Sequence, residues 1–381
     1  MAPQSITAGP SGSVDPILID MQIDTELDTD HPAISSPLVS VVILTYNAIE
    51  TVQQCLPSVV ASTYPNIQIL LADNASDDGT CDWVASTYPN IEIIRHSTNL
   101  LFCAGNNRAV DHATGDYIVL LNNDVEVEPG WLEPLVARLL KRPEIGAVQP
   151  KLLQFHDRTR FEYAGGAGGH LDRFGYPFTR GRLFFEMEKD TGQYDDDVEL
   201  FWASGAALCI RRSLYLKLGG LDERFEMHME EIDLCWRLQR LGYSIQSVSA
   251  SRVFHIGGAS LPQGSPRKTY LNYRNNILTL YKNLTPQDWL KIFPARVLLD
   301  GIGFLRLLLL FKPREAFAVL RAYGSAHVMK ASMKSERPLK TEKSVLPHYS
   351  RSIVLDYFVR GHRRFSDLPD SAFRRSTKSV N

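Results

Sequence analysis

The sequence predicts an α/β protein on a mostly parallel central sheet, with a helical extension on its C-terminal side. Two observations carry that expectation. Short apolar runs alternate with helical stretches along residues 39–124, the order that parallel strands with crossover helices require. Each run stops at a polar cluster, and in open α/β sheets ligands bind beyond the carboxyl ends of the strands.

The elements follow in order. Residues 1–36 carry Asp15, Asp20, Asp24, Glu26, Asp28 and Asp30 with no compensating base, which reads as a disordered acidic tail. Val39–Leu44 is mostly β-branched and ends in Thr45-Tyr46-Asn47, a buried strand closed by polar residues, with a helix expected over 49–62. The next strand, Ile67–Ala72, closes at Asp73-Asn74-Ala75-Ser76-Asp77-Asp78-Gly79-Thr80, and a helical stretch leads to the short run Ile91–Arg95. Tyr117–Leu121 then stops at Asn122-Asn123-Asp124. Phe161–Gly192, with Gly165-Gly166-Ala167-Gly168-Gly169, reads as a loop or small subdomain that could fold over a substrate.

From Tyr270 onward helical patterns dominate. Ile292–Phe311 is strongly apolar yet holds Pro294, Arg296, Asp300 and Arg306, and each charge would cost ~3 kcal/mol at the middle of a bilayer. A helix packed on the domain or lying in a membrane interface is expected instead. From Lys330 the chain has twelve Lys and Arg against five acids, which suits an anionic leaflet or a soluble flexible terminus. The expected organisation is therefore an acidic tail at 1–36, the α/β domain at 37–265, a helical extension at 266–330 and a basic tail at 331–381.

At 381 residues, 44% hydrophobic and 22% charged, the chain can bury a full core, which excludes a fibrous or wholly disordered protein. A formal net charge of −2 supplies no field for nucleic acid. Five scattered cysteines without CxxC spacing read as reduced and structural. No secretory or transit signal is visible, so cytoplasmic residence is expected, with the inner face of the membrane as its limit.

Four clusters and one histidine carry chemistry. Thr45-Tyr46-Asn47 lacks the glycine-rich turn of a dinucleotide site. At the second strand end, Asp73 is placed to accept hydrogen bonds from a nucleobase imide or a ribose hydroxyl, whereas Ser76 or Asp77 fits a helix cap. Asp124 can serve as a carboxylate for a hard divalent cation, although the triplet also fits a plain turn. Ile232, Cys235 and Trp236 mark a buried helix, with Glu230 and Glu231 in its first turn, where the dipole favours an ionised base by ~0.3–1 kcal/mol. A solvated helix start with an Asp233/Arg237 ion pair is the structural alternative. His255, before Gly257-Gly258, can join a carboxylate on Mn²⁺ or Mg²⁺ or can be a satisfied core residue.

Taken in order, Val39–Asn47, Asp73–Thr80, Asn99–Asn107, Leu120–Asp124 and Glu230–Cys235 resemble the family 2 glycosyltransferases of GT-A fold. The Asn-Asn-Asp triplet and Trp202-Ala203-Ser204-Gly205-Ala206 resemble the rhamnosyltransferase-like members. The resemblance implies a GT-A-type nucleotide-binding sandwich and an inverting transferase using a nucleoside-diphosphate sugar, with dTDP-rhamnose favoured. A glycan or lipid-linked acceptor in surface polysaccharide synthesis fits the apolar helix and basic tail, which also suit peripheral membrane contact. Thr45, Asn47 and Asp73, with Tyr46 and Asn74 beside them, are implied to hold the nucleoside. Asn99, Asn107, Asn122 and Asn123 are implied to line the donor site. Asp124 and His255 would hold the divalent cation (Mg²⁺ or Mn²⁺), with Glu231 as base and Glu230 and Asp233 as substitutes. Asn122 stands where the family often has Asp, which removes a charge from the metal triplet. A non-catalytic nucleotide-sugar-binding module is the competing reading, and a nucleotide-sugar pyrophosphorylase lacks its triphosphate loop here.

Overall fold

A computed structural model of the chain describes residues 36–257, 264–339 and 345–374. The acidic stretch at 1–35, Gly258–Ser260 and the last bases of the chain lie outside the described residues.

The apolar runs form the expected strands: β1 Val39–Thr45, β2 Ile67–Asp73, β3 Glu92–Arg95 and β4 Tyr117–Asn122, followed by β5 Val125–Val127 and β6 Ile145–Gln154. Helices α1 Ile49–Val60, α2 Thr80–Thr87, α3 Leu101–Val110 and α4 Leu132–Lys141 connect them. The stretch after β6 is less irregular than its glycines suggest. It folds into a small antiparallel sheet of β7 Gly169–Leu171, β8 Pro177–Thr179, β9 Arg182–Leu183 and β10 Glu186–Met187. Then come β11 Glu199–Leu200, β12 Ala207–Arg211, α5 Arg212–Lys217, α6 Glu230–Arg240 and β13 Ser244–His255.

The main sheet runs in the order β11-β13-β6-β12-β4-β1-β2-β3, with β5 paired to β13. Its β4-β1-β2-β3 half is parallel, whereas β12 inserts antiparallel between β4 and β6. Strand alternation divides the core. Val42, Leu70, Ile118 and Leu120 bury on the face covered by α3 and α6, and Val41, Ile43, Leu71 and Val119 on the face covered by α1 and α4. Each such side chain contributes about 1.5–3 kcal/mol of burial. The glycine run serves close packing: a Cβ on Gly169 would lie 2.2 Å from the Trp202 ring, and Gly166 and Gly168 have positive φ.

Three helices follow, α7 Pro266–Asn283, α8 Pro286–Leu309 and α9 Pro313–Met329. Ser265 and Thr285 cap the first two with side-chain oxygens that accept from Lys268 N and Asp288 N. Residues 345–374, expected only as basic tail, return to the body of the protein. Tyr349 N donates to Leu171 O, Ile353 N donates to a buried Asp172 carboxylate oxygen, and Tyr349, Ile353 and Tyr357 of this segment form a cluster with Phe178 and Leu183. Helix α10 Ile353–Phe358 lies inside this segment.

Candidate active site

Strand register sets the first row of the site. Thr45 at the end of β1 pairs with Asp73 on β2, and Leu44 pairs with Asn122 on β4, so the three polar strand ends are neighbours. Asn123 Nδ2 donates to Thr45 Oγ1 at 3.2 Å. Asp73 is buried and its Oδ2 accepts from Ser76 N, while its Oδ1 has no hydrogen-bond partner. A buried carboxylate oxygen without a donor is a ready acceptor for a ligand N–H or O–H. Tyr46 is half exposed beside it.

The amides divide into those with capacity left and those without. Asn47, at φ 44°, accepts from Asp77 N while its own N–H donates to Ser76 Oγ, so it braces the β2 loop. Asn74 donates to Leu101 O and accepts from Leu100 N, and Asn99 accepts from Leu101 N; both shape the entry into α3. Asn107, expected to line the donor site, spends its side-chain amide on other partners. Its amide donates to Leu221 O and Glu223 Oε1 and accepts from Tyr215 Oη and Leu221 N, which fills its capacity.

The β5–β13 pair, with His255 opposite Val125, brings together two residues far apart in the chain. His255 Nε2 lies 3.1 Å from Asp124 Oδ1, and both side chains are buried. On the other side of the ring Nδ1 lies 3.1 Å from Glu162 Oε1, and Glu162 Oε2 accepts from Ala164 N. Burial alone would lower the His255 pKa, but Glu162 and then Asp124 outweigh it and push it up to about 10. Burial would likewise raise Asp124, and the His255 charge and hydrogen bond reverse that, holding it below its ordinary value. Glu162 was not found from sequence: it sits in a glycine- and aromatic-rich stretch with no local pattern to mark it.

Helix α6 presents the third part. Segment 226–229 enters it with Glu226, His228 and Met229 all at positive φ, a strained approach for residues with side chains. Helix α7 holds that segment. Asn275 Nδ2 lies 2.8 Å from each of the carbonyls of Phe225, Met227 and His228 and shares its two N–H donors among them, and Arg274 reaches Phe225 O and Glu226 Oε1. Glu231 then lies against Gly205, where an added Cβ would be 3.7 Å from Glu231 Cβ. The next residue, Ala206, accepts from Asn122 N, which ties Glu231 to the β4 end. Glu230 Oε2 and Glu231 Oε2 both lack partners. Burial pushes Glu231 up to about 7, and burial followed by the Glu231 charge raises Glu230 well above the carboxylate range.

Asp233 does not belong with them, a correction to the expected catalytic set. It is fully buried, one oxygen bonded to Arg237 at 2.7 Å and Lys282 at 2.9 Å and the other to Asn283 at 2.8 Å. Burial would raise its pKa, but these cations hold it low, so its work is structural.

A carboxylate and an imidazole 3.1 Å apart fit the two protein ligands that Mg²⁺ or Mn²⁺ takes when phosphate oxygens complete its shell. Among the described residues no group of three metal-ligating side chains occurs, and Glu162, on the far ring nitrogen, is a carboxylate that orients His255 rather than a third ligand.

Comparison with known proteins identifies the chain's relatives. Residues 40–214 match the family model described as glycosyl transferase family 2. The Bacillus subtilis (strain 168) protein EpsE, provisionally named a glycosyltransferase, is 30% identical over 219 residues, covering 55% of this chain and 69% of EpsE. The chain belongs to glycosyltransferase family 2. Within that family it is also similar to the O-antigen biosynthesis protein RfbC of Myxococcus xanthus, 30% identical over 64% of this chain and 20% of that protein. The N-acetylglucosaminyl-diphospho-decaprenol L-rhamnosyltransferase of Mycobacterium tuberculosis (strain ATCC 25618 / H37Rv) is 28% identical over 56% of this chain and 75% of that protein. The chain thus spans only a fifth of the Myxococcus relative. The GT-A fold is that of GalNAc-T7, solved with UDP, GalNAc and Mn²⁺, at a TM-score of 0.51 and 18% identity over 65% of this chain and 48% of that one.

Proposed function

We propose that this family 2 glycosyltransferase moves a sugar from a nucleoside-diphosphate donor to an acceptor hydroxyl with inversion, using Glu231 as general base. The observation that carries the proposal is the position of Glu231. It has an unpaired oxygen and faces Gly205, where an added Cβ would come into van der Waals contact with it; Gly205 is followed by Ala206, which accepts from Asn122 N, two residues from Asp124.

The roles follow from the surroundings of each group. Asp73, with its free oxygen, accepts from the nucleobase or ribose, and Thr45 and Asn123 line the path toward the diphosphate. Asp124 and His255 would hold a divalent cation, which when bound supplies positive charge to the leaving diphosphate. Glu231 removes the acceptor proton as the hydroxyl attacks the face opposite the departing nucleoside diphosphate. Desolvation suits it to that task, because a carboxylate near pKa 7 is basic enough to take the proton and still ionises at neutral pH. One displacement inverts the anomeric centre, and no covalent enzyme intermediate is needed.

The donor is proposed to be dTDP-rhamnose and the acceptor a lipid-linked or growing surface glycan, supported by likeness to the mycobacterial rhamnosyltransferase and the Myxococcus O-antigen protein. With such an acceptor the chain works as a cytoplasmic protein touching the inner face of the membrane. The test is donor turnover by the purified chain with Mn²⁺ across a panel of nucleotide-sugars. Turnover lost in Glu231→Gln with donor binding kept supports a transferase; donor binding without turnover in the unsubstituted chain means a binding module.

A further inference from the structure

Helix α8 is inside-out. Its two buried residues are Arg296 and Asp300, paired at 2.9 Å, beside Trp289, Ile292 and Phe293 of its first half, which pack partly buried on the core. Tyr176 and Tyr323 donate their hydroxyls to the Asp300 carboxylate at 2.5 and 2.7 Å, and Arg296 donates to Asn276 Oδ1. Its outward stripe is apolar: Leu298 67% exposed, Ile302 57%, Leu305 58% and Leu309 79% at helical spacings of three and four, with Leu290 71% exposed two turns earlier. Phe311, just past its end, is 92% exposed. A helix facing water shows the reverse arrangement, and a contiguous apolar surface of this kind marks an interaction site.

Charge selects the occupant. The exposed positions of α8 and α9 include no acid, and their charged members are Lys291, Arg306, Arg314 and Arg321. Lys312 lies between the two helices and pairs with Glu315 at 3.2 Å, as Lys291 does with Asp288 at 3.9 Å, whereas Arg306 sits over the ring of Phe185, itself 63% exposed. Apolar side chains in the middle with cations among and beside them fit the boundary between acyl chains and anionic headgroups. No helix among the described residues is long and apolar enough to cross a membrane, which leaves α8 lying along the surface.

We infer that the outward face of α8, with Phe311 and the start of α9, is the surface by which the protein seats on an anionic lipid bilayer. It rests on the peripheral-membrane part of the proposed function and adds the face and the lipid charge.

The test is flotation of the full chain with vesicles of phosphatidylcholine alone and of equal parts phosphatidylcholine and phosphatidylglycerol. The chain should float with the mixed vesicles, less with phosphatidylcholine alone, and less again as salt is added. Leu298→Glu and Leu305→Glu should each lower the bound fraction at least ~10-fold, since a charge now enters the apolar layer. Both positions face solvent, so thermal unfolding in the absence of lipid should be unchanged. A chain that stays in solution with both vesicles overturns the inference together with the membrane part of the reading. Glutamate variants that float as well as the unsubstituted chain overturn the inference alone. A dimer that Leu298→Glu splits would assign the face to a second copy and overturn it too. Turnover with a water-soluble acceptor, measured on the same samples, tests the transfer reaction independently of every flotation result.

Discussion

Among the acidic residues near the start of α6, environment separates what sequence could not. Glu231 and Asp233 are two residues apart, yet one keeps an oxygen free beside Gly205 while the other is held by Arg237, Lys282 and Asn283. Glu231→Gln is therefore expected to keep donor binding and lose turnover at least ~10²-fold. The pH profile gives a second readout. Burial raises the Glu231 pKa to about 7, so on the proposed role it would be protonated and idle below that pH, and kcat/KM should rise toward alkaline pH with a midpoint near it. A midpoint in the ordinary carboxylate range would remove Glu231 from this role. For the cation, Asp124→Ala should abolish the Mn²⁺ dependence of donor binding, followed by calorimetry with and without the metal. His255, raised to about 10 by its two carboxylates, is protonated at neutral pH and must lose its proton to ligate. Mn²⁺ binding should thus release about one proton, seen as a dependence of the observed heat on the buffer's ionisation enthalpy; no such dependence would deny His255 a place on the metal.

Elements show where sequence reading succeeded and where it stopped. Strand ends were legible because a buried run of Val, Ile and Leu followed by Asn or Asp changes burial at one residue, a local signal. Thr45, Asp73 and Asp124 came from that signal; the sheet pairs Thr45 with Asp73 beside Asn122, two residues before Asp124. Glu162 and Asn275 were illegible for the opposite reason. Glu162 meets its partner His255 across 93 positions of chain, and Asn275 meets the 225–228 carbonyls across about fifty, so no window of sequence contains both halves. Asn107 erred the other way: its motif fits, but tertiary structure gives its amide to the turn at Leu221. Asn275→Ala removes the two N–H donors shared by three carbonyls of a strained segment. It should cost at least ~2 kcal/mol in chemical denaturation and lower kcat more than donor affinity. Equal losses of both would mean that α7 supports the fold alone.

Across the whole molecule, the C-terminal segment acts as a clasp. Tyr349, Ile353 and Tyr357 are buried against the small sheet, and Trp236 of α6 donates to Val345 O. A chain ending at residue 339 would uncover that cluster, with each large side chain worth about 1.5–3 kcal/mol. Its thermal midpoint should fall by ten degrees or roughly that much, and an unchanged midpoint would show that the clasp adds nothing to stability. Sequence alone missed it because its Lys and Arg dominate the composition while the residues that anchor it are few and widely spaced.

Two adjacent asparagines on α7 face opposite duties. Asn275 grips the carbonyls before Glu230, and Asn276 accepts from Arg296 of α8 while donating to Gly175 O. The helix that carries the apolar stripe and the turn that carries the proposed base are therefore both held by consecutive residues of one helix. If the proposed membrane seating and the proposed lipid-linked acceptor both hold, the spacing between that stripe and that base would act as a ruler for the acceptor length.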